Sequence, residues 1–554
     1  MKTLTLSLLA LACLPVAAQM SMDHPAQPAQ PAAANAPERL GTVTFSVSCA
    51  PAVQAPVNRG VALLHDFWYG EAQRQFEEVA KADPNCAMAH WGAAMSYFHQ
   101  IWDRPGKDSV AHGWAEMQKA QSPAAETARE RAYIAALSDF FRPGKQEFPA
   151  RIQAYSDAMG KLYRDYPDDT DAGAFYALSL LAAVPPDDTS LTAAHKAMAV
   201  LTPLFAKYPD NPGLVHYIIH SCDNPAMAAD GLAAADHYGE IAASGAHAYH
   251  MPGHIYARLG MWPQDIKANL GSVAASEVAE AKYGSGIMDE PHAYDFLLYA
   301  YLQSGQDDRA HWVLDQIGPL LTDIEAMPGM GTDHRAGMVP YYRSKFPVFY
   351  RLEMRHWDSA AVLEPPPGSS PEVAALSIWA RVIAHGHLRQ PDAARADLAR
   401  YDALMDEVKK GKNAYLADGA DAKIERNEIL GWVAFANGKQ GDALKNIRAA
   451  ADMQDKAGQG EVDIPAREML ADMLLEFHQP AQALAEYEVS LKLSPNRFNG
   501  LYHAGLAAEA AGDKAKAQQF YSALMKSTNN GAQSERPEYA HVKTFVTSMQ
   551  AAAK

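Results

Sequence analysis

The stretch Ala471–Tyr521, ADMLLEFHQPAQALAEYEVSLKLSPNRFNGLYHAGLAAEAAGDKAKAQQFY, decides the fold. It alternates Ala-rich amphipathic segments with turns marked by Pro, Gly and Asp, the pattern of helices that each bury one face. Gly505, Ala517 and Tyr521 stand 34 residues after Ala471, Ala483 and Tyr487, with Pro495 closing one helix and Gly512 at a turn. A fixed period of this size marks one supersecondary unit used repeatedly. Upstream, Gly431, Gly438, Ala443 and Ile447 give the same pattern, and looser matches run through Gly60, Ala72, Phe76 and Pro84, then Ala197, Leu201 and Pro209. Strand-like alternation is confined to Thr42–Val47.

These residues resemble the tetratricopeptide repeat, in which small side chains let two antiparallel helices approach closely and a Pro ends the second. The resemblance covers nearly the whole chain beyond residue 40. It implies an all-α, tetratricopeptide-type α-solenoid of stacked helical hairpins, in which each repeat mainly contacts its neighbours and the stack exposes a concave surface. PPPGSSP, residues 365–371, interrupts the helical pattern and predicts two superhelical segments, 40–364 and 372–554, joined by a linker.

The first 18 residues, MKTLTLSLLALACLPVAA, have one Lys, an apolar stretch and small residues at the end, as a secretory signal peptide does. A lipoprotein reading through Cys13 has a poorer motif. Residues 19–39, rich in Pro, Ala and Gln, read as a flexible leader. No later apolar run reaches the roughly 18 residues that span a bilayer, so no transmembrane segment is expected in the mature chain, which should be periplasmic or secreted. In such a compartment Cys49 and Cys86, flanking the first hairpin, can form a disulfide, leaving Cys222 unpaired.

The 554 residues are 48% hydrophobic and 20% charged, an ordinary globular composition. A formal net charge of −17 without a basic stripe argues against nucleic acid as a partner. No G-x-S-x-G elbow, P-loop, paired CxxC or HExxH is present, so familiar enzyme chemistry has no foothold.

Two segments carry the chemistry: HYIIHSCDNP, with His216, His220 and Asp223, and HAYHMPGHIYARLGMW, with His247, His250 and His254. H-x-x-x-H on a helix puts two imidazoles on one face, a turn apart, where both can serve one metal ion. Counted from Pro209 and from Gly260 at the next turn, these residues fall at repeat positions 5, 9 and 12, and 2, 5 and 9. In the repeats that the chain resembles, such positions of the first helix face the concave groove. His216 to His250 and His220 to His254 are each 34 residues apart, so neighbouring repeats offer them side by side. Before Gly305, His292 and Asp295 take groove positions 2 and 5. The HYxIH and HMPxH segments also resemble those of exported bacterial tetratricopeptide-repeat proteins whose activity is uncharacterised.

Met251-Pro252 should interrupt the helix, leaving His247 and His250 in a loop and His254 near a helix N-terminus. His65 falls at a groove position and Asp295 beside it in the binding groove, although a packed histidine is the commoner role for His65. His90 and His99 flank an aromatic core helix, and His334 lies in a Gly-rich surface loop. Three readings stay open. The groove binds a divalent metal, zinc or a similar first-row ion, through His216, His220, His250, His254, His247, His292 and Asp223; it is a polar groove for a protein or peptide partner; or it is a metal-dependent hydrolase or oxidase.

Overall fold

The computed structural model describes residues 37–552, apart from 102–103, 122–126, 145–146, 186–187, 328–331, 412 and 535. The signal peptide, Cys13 and residues 19–36 of the leader lie outside the described residues. Every regular element among the described residues is helical, and successive helices pack as antiparallel hairpins stacked into a tetratricopeptide-type α-solenoid.

The repeat positions read from the sequence are the contact points of these hairpins. A Cβ on Gly505 would lie 2.2 Å from the ring of Tyr521, and one on Gly60 would lie 2.6 Å from Phe76. Each small residue thus makes the socket for an aromatic ring sixteen residues on, across the hairpin. Both rings are fully buried, which stabilises each hairpin by roughly 1.5–3 kcal/mol per ring. A disulfide joins Cys49 to Cys86 across the first hairpin.

The Thr42–Val47 segment is extended but pairs with no strand. Its backbone is satisfied instead by side chains and distant carbonyls: Thr42 N–H donates to the Asp210 carbonyl at 2.7 Å, Phe45 N–H to Asn58 Oδ1 at 3.1 Å, and Val47 N–H to Gln54 Oε1 at 3.1 Å. Apolar alternation here serves to bury Val43 and Phe45 between helices. Just before it, Glu38 is held by Arg59 at 2.7 Å and by the Tyr283 hydroxyl at 2.8 Å.

Contacts are not restricted to neighbouring repeats. Beside the contacts between neighbouring repeats that the sequence predicts, late repeats return to the middle of the chain. Trp262 Nε1–H donates to the Asn496 carbonyl at 2.9 Å, Phe498 N–H to Gln303 Oε1 at 2.9 Å, and Arg536 to Asp307 at 2.9 Å. Arg497, almost wholly buried, is neutralised by Glu353 and Glu468, each at 2.9 Å. Such polar contacts need two surfaces fixed in three dimensions and leave no period in the sequence. The apolar core of the later repeats also includes Val348, Leu352 and Ala360, upstream of residues 365–371. Helix Thr332–Glu353 takes in part of the segment expected as a loop, with His334 in its first turn.

Candidate metal centre

Helix Pro212–Cys222 starts sharply: Asn211 caps it by accepting the Leu214 N–H at 3.2 Å, and Pro212 occupies the first helical position. His216 and His220 therefore project from one face, ring centroids 4.6 Å apart. Residues Ala246–His250 form a short helix, not the loop expected from Met251-Pro252. Met251 keeps right-handed helical angles (φ −51°, ψ −38°) and its N–H reaches the His247 carbonyl at 3.0 Å. Complete burial of Met251 overrides the mild bias against helix before proline. Pro252 then opens the Pro252–Arg258 helix, which carries His254 in its first turn, as the sequence predicts. Helix Glu290–Gln303 brings His292.

Six imidazoles converge as two triads, His216–His220–His247 and His250–His254–His292, with the potential ligand atoms of each all within 4.8 Å of one another. The sequence register paired His216 with His250 and His220 with His254; the structure pairs His216 with His247 and His250 with His254. His216 Nε2 lies 3.2 Å from His247 Nε2, and His250 Nε2 lies 2.9 Å from His254 Nε2.

The opposite ring nitrogens explain this orientation. His216 Nδ1–H donates to the backbone carbonyl of His65 at 2.6 Å. His250 Nδ1–H donates at 2.6 Å to Asn269 Oδ1, whose amide is oriented by donating to Asp265. His254 Nδ1–H lies between Asp223 Oδ2 at 3.0 Å and Glu461 Oε1 at 2.8 Å. Each acceptor fixes the tautomer and turns Nε2 inward, the arrangement that metal-ligating histidines use.

Burial, reinforced by neighbouring imidazoles, holds His216, His220, His247 and His250 well below the ordinary histidine pKa and brings His292 down to about 3. These rings are neutral at physiological pH, as ligation requires. At His254 burial acts in the same direction, but the carboxylates of Asp223 and Glu461 outweigh it and raise the group to about 10. Arg258 bridges the same two carboxylates, Nε to Asp223 at 2.9 Å and Nη2 to Glu461 at 3.1 Å. A dication placed between those acids would face the guanidinium, so Asp223 fits the role of orienting His254 better than that of a ligand.

His65 sits beside the triads and joins neither: its ring is fully buried against Phe175 and bonded to Tyr217 and Asp171, while its carbonyl serves His216. Asp295 is paired with Lys345. Cys222 is buried with Sγ 3.6 Å from Met198 Sδ, and burial pushes its thiol up to about 12, so no thiolate joins the set. Five residues absent from the sequence reading surround the triads: Asn269, Glu461, Arg258, Phe67 and Phe296. Phe67, in a left-handed backbone conformation (φ +56°), lies 4.4 Å from His216, 5.6 Å from His220 and 5.4 Å from His247 between ring centroids. Phe296 lies 4.7, 4.9 and 5.3 Å from His250, His254 and His292. Phe296 and Arg258 each follow a site histidine by four positions, a helical spacing that could have flagged them.

The chain matches no protein-family model and no curated protein. Solved structures similar to it include a human IFIT1 dimer with PPP-AAAA (TM-score 0.32, 11% identity, covering 84% of this chain and 88% of that one). Others are a Naa15/Naa10 complex bound to HypK-THB (0.24, 10%, 90% and 91%) and the TPR domain of P58(IPK) (0.20, 12%, 90% and 99%). Among the described residues no helix is long and apolar enough to cross a membrane.

Proposed function

We propose that this chain is an exported tetratricopeptide-type scaffold that binds zinc or a similar first-row divalent metal through the inward Nε2 atoms of its histidine triads. One observation carries the reading: Nδ1 of His216, His250 and His254 is in each case committed to a carbonyl or carboxylate, which turns Nε2 of His250 toward Nε2 of His254 and Nε2 of His216 toward Nε2 of His247. Two unprotonated ring nitrogens facing at such distances repel unless a proton or a metal ion lies between them. Three protein ligands also leave a four-coordinate ion one open position, which a hydrolase or oxidase would need. The remaining solenoid surface offers docking area for a protein or peptide partner, and its acidity disfavours nucleic acid.

A second reading has its own support. With Asp223 and Glu461 stabilising imidazolium at His254, a proton on Nε2 can join His254 to His250 without an ion, giving a polar groove for a peptide. Elemental analysis of full-length protein purified without chelators separates the two. The metal reading expects near-stoichiometric metal that His250→Ala/His254→Ala or His216→Ala/His247→Ala diminishes while the far-ultraviolet spectrum stays helical. Protein that carries no metal and takes up none on titration with Zn²⁺ sinks it.

A further inference from the structure

The two triads are built as two complete units. Each has three imidazoles and one phenylalanine packed against them, Phe67 in the first and Phe296 in the second. Each also has a fully buried aspartate one residue removed from a triad histidine. Asp66 accepts from the Tyr238 hydroxyl at 2.9 Å, and the Tyr238 ring lies 5.3 Å from that of His216. Asp265 accepts from Asn269, which in turn holds His250. In both aspartates the second oxygen, Oδ2, has no hydrogen-bond partner. A buried carboxyl oxygen left in this way is costly unless a positive charge lies nearby. One such aspartate lies near each triad, linked to His250 by hydrogen bonds through Asn269 and set near His216 only by the ring of Tyr238.

No histidine belongs to both triads. Ligand nitrogens on one first-row ion stand about 2.0–2.1 Å from it, hence at most about 4.2 Å from each other. By their ligand atoms His247 and His250 fall in different groups, although their rings are neighbours at 6.3 Å between centroids, and the single turn Ala246–His250 delivers one imidazole to each side. Two ions held by these triads would be neighbours, each with an open position.

We propose that the six histidines hold two first-row metal ions, one per triad, close enough to share a single small oxygen-donor ligand such as hydroxide. This rests on the metal reading above and adds the number of ions and their coupling. An all-imidazole set with no thiolate suits Cu²⁺, Zn²⁺ or Ni²⁺, and paired ions that share an oxygen are a known device for activating it.

The test uses full-length chelator-stripped protein titrated with Cu²⁺, beside His247→Gln and His292→Gln, each of which alters a partly buried member of one triad. Binding is counted by elemental analysis and coupling is read by electron paramagnetic resonance. The proposal expects two equivalents in the native chain with a largely silent resonance, because the two unpaired spins couple. It expects one equivalent with a full signal in each variant. One equivalent in the native chain, lost in both variants, overturns the pair while leaving the metal reading intact. Two equivalents with a fully additive signal overturn the shared ligand. A chain that binds no ion overturns the metal reading and the pair together. Should either variant unfold, the native stoichiometry and signal still decide the question.

Discussion

Nδ1 of His254 and Oε1 of Glu461 lie 2.8 Å apart, although the two residues come from different parts of the solenoid. The contact makes a site read from the middle of the sequence depend on a loop near its end. Glu461 also pairs with Arg258, whose Nη1 donates to the Gln459 carbonyl. Burial would raise the Glu461 carboxyl, but His254 and Arg258 together hold it below the usual range.

Glu461→Gln should therefore weaken metal binding by about 10- to 100-fold, the usual cost of losing a carboxylate that orients a ligating histidine. Calorimetric titration of Zn²⁺ into the native and variant chains checks this. Equal affinities would mean that Asp223 alone orients His254.

The Cys49–Cys86 disulfide closes a loop with a sequence separation of 37. Cys49→Ser/Cys86→Ser should cost about 3–4 kcal/mol in the first hairpin, since the open chain regains loop entropy. Urea unfolding of both forms measures the loss, and a difference near zero would contradict it.

Glu428 is buried with Trp379 Nε1–H donating to it at 2.6 Å, and burial pushes its carboxyl up to about 8 from 4.5. The folded chain thus holds a proton that the unfolded chain gives up over that range. Its contribution to stability is complete below about pH 4.5, declines as pH rises to about 8, and changes no further above that. The decline should be on the order of a few kcal/mol, and Glu428→Gln should flatten it. Nearby Glu425, raised to about 7 by burial, contributes in the same direction in both forms and so cancels in their difference. Urea midpoints of the native chain and Glu428→Gln across this range test the assignment, since the histidines contribute equally to both; a difference between the two that does not change with pH would refute it.

Gly505→Ala would put a Cβ 2.2 Å from the Tyr521 ring and should destabilise by about 1–3 kcal/mol through overpacking. Gly337, exposed inside helix Thr332–Glu353 with nothing near its missing Cβ, should respond oppositely, Gly337→Ala stabilising by about 0.5–1 kcal/mol. Thermal melts of the pair decide whether hairpin contact, and not helix propensity, selects glycine at position 505.

What was legible in the sequence follows the range of the interactions. Gly505 and Tyr521 meet across a single hairpin, so their contact repeats at 34 residues and can be counted. The His216–His220 spacing is a local helical fact and survives unchanged. The division into triads is different, because it depends on how the Ala246–His250 turn rotates under Met251, a matter of tertiary burial that a pre-proline rule misjudges. Asn269 has one local trace, its four-residue spacing from Asp265, but nothing in that spacing points to His250. Glu461 has none. Its position depends on the return of the late repeats to Gly260 and Trp262, made by contacts such as that between Asn496 and the Gly260 carbonyl at 3.1 Å.

That return also sets an order of events during synthesis. A nascent chain that has emerged only as far as His292 already owns all six imidazoles, yet lacks one of the two acids that hold His254 in place. If the triads hold metal as proposed, tight ion capture would signal completion: a chain truncated or stalled before Glu461 would be distinguishable from a finished one by its grip on metal.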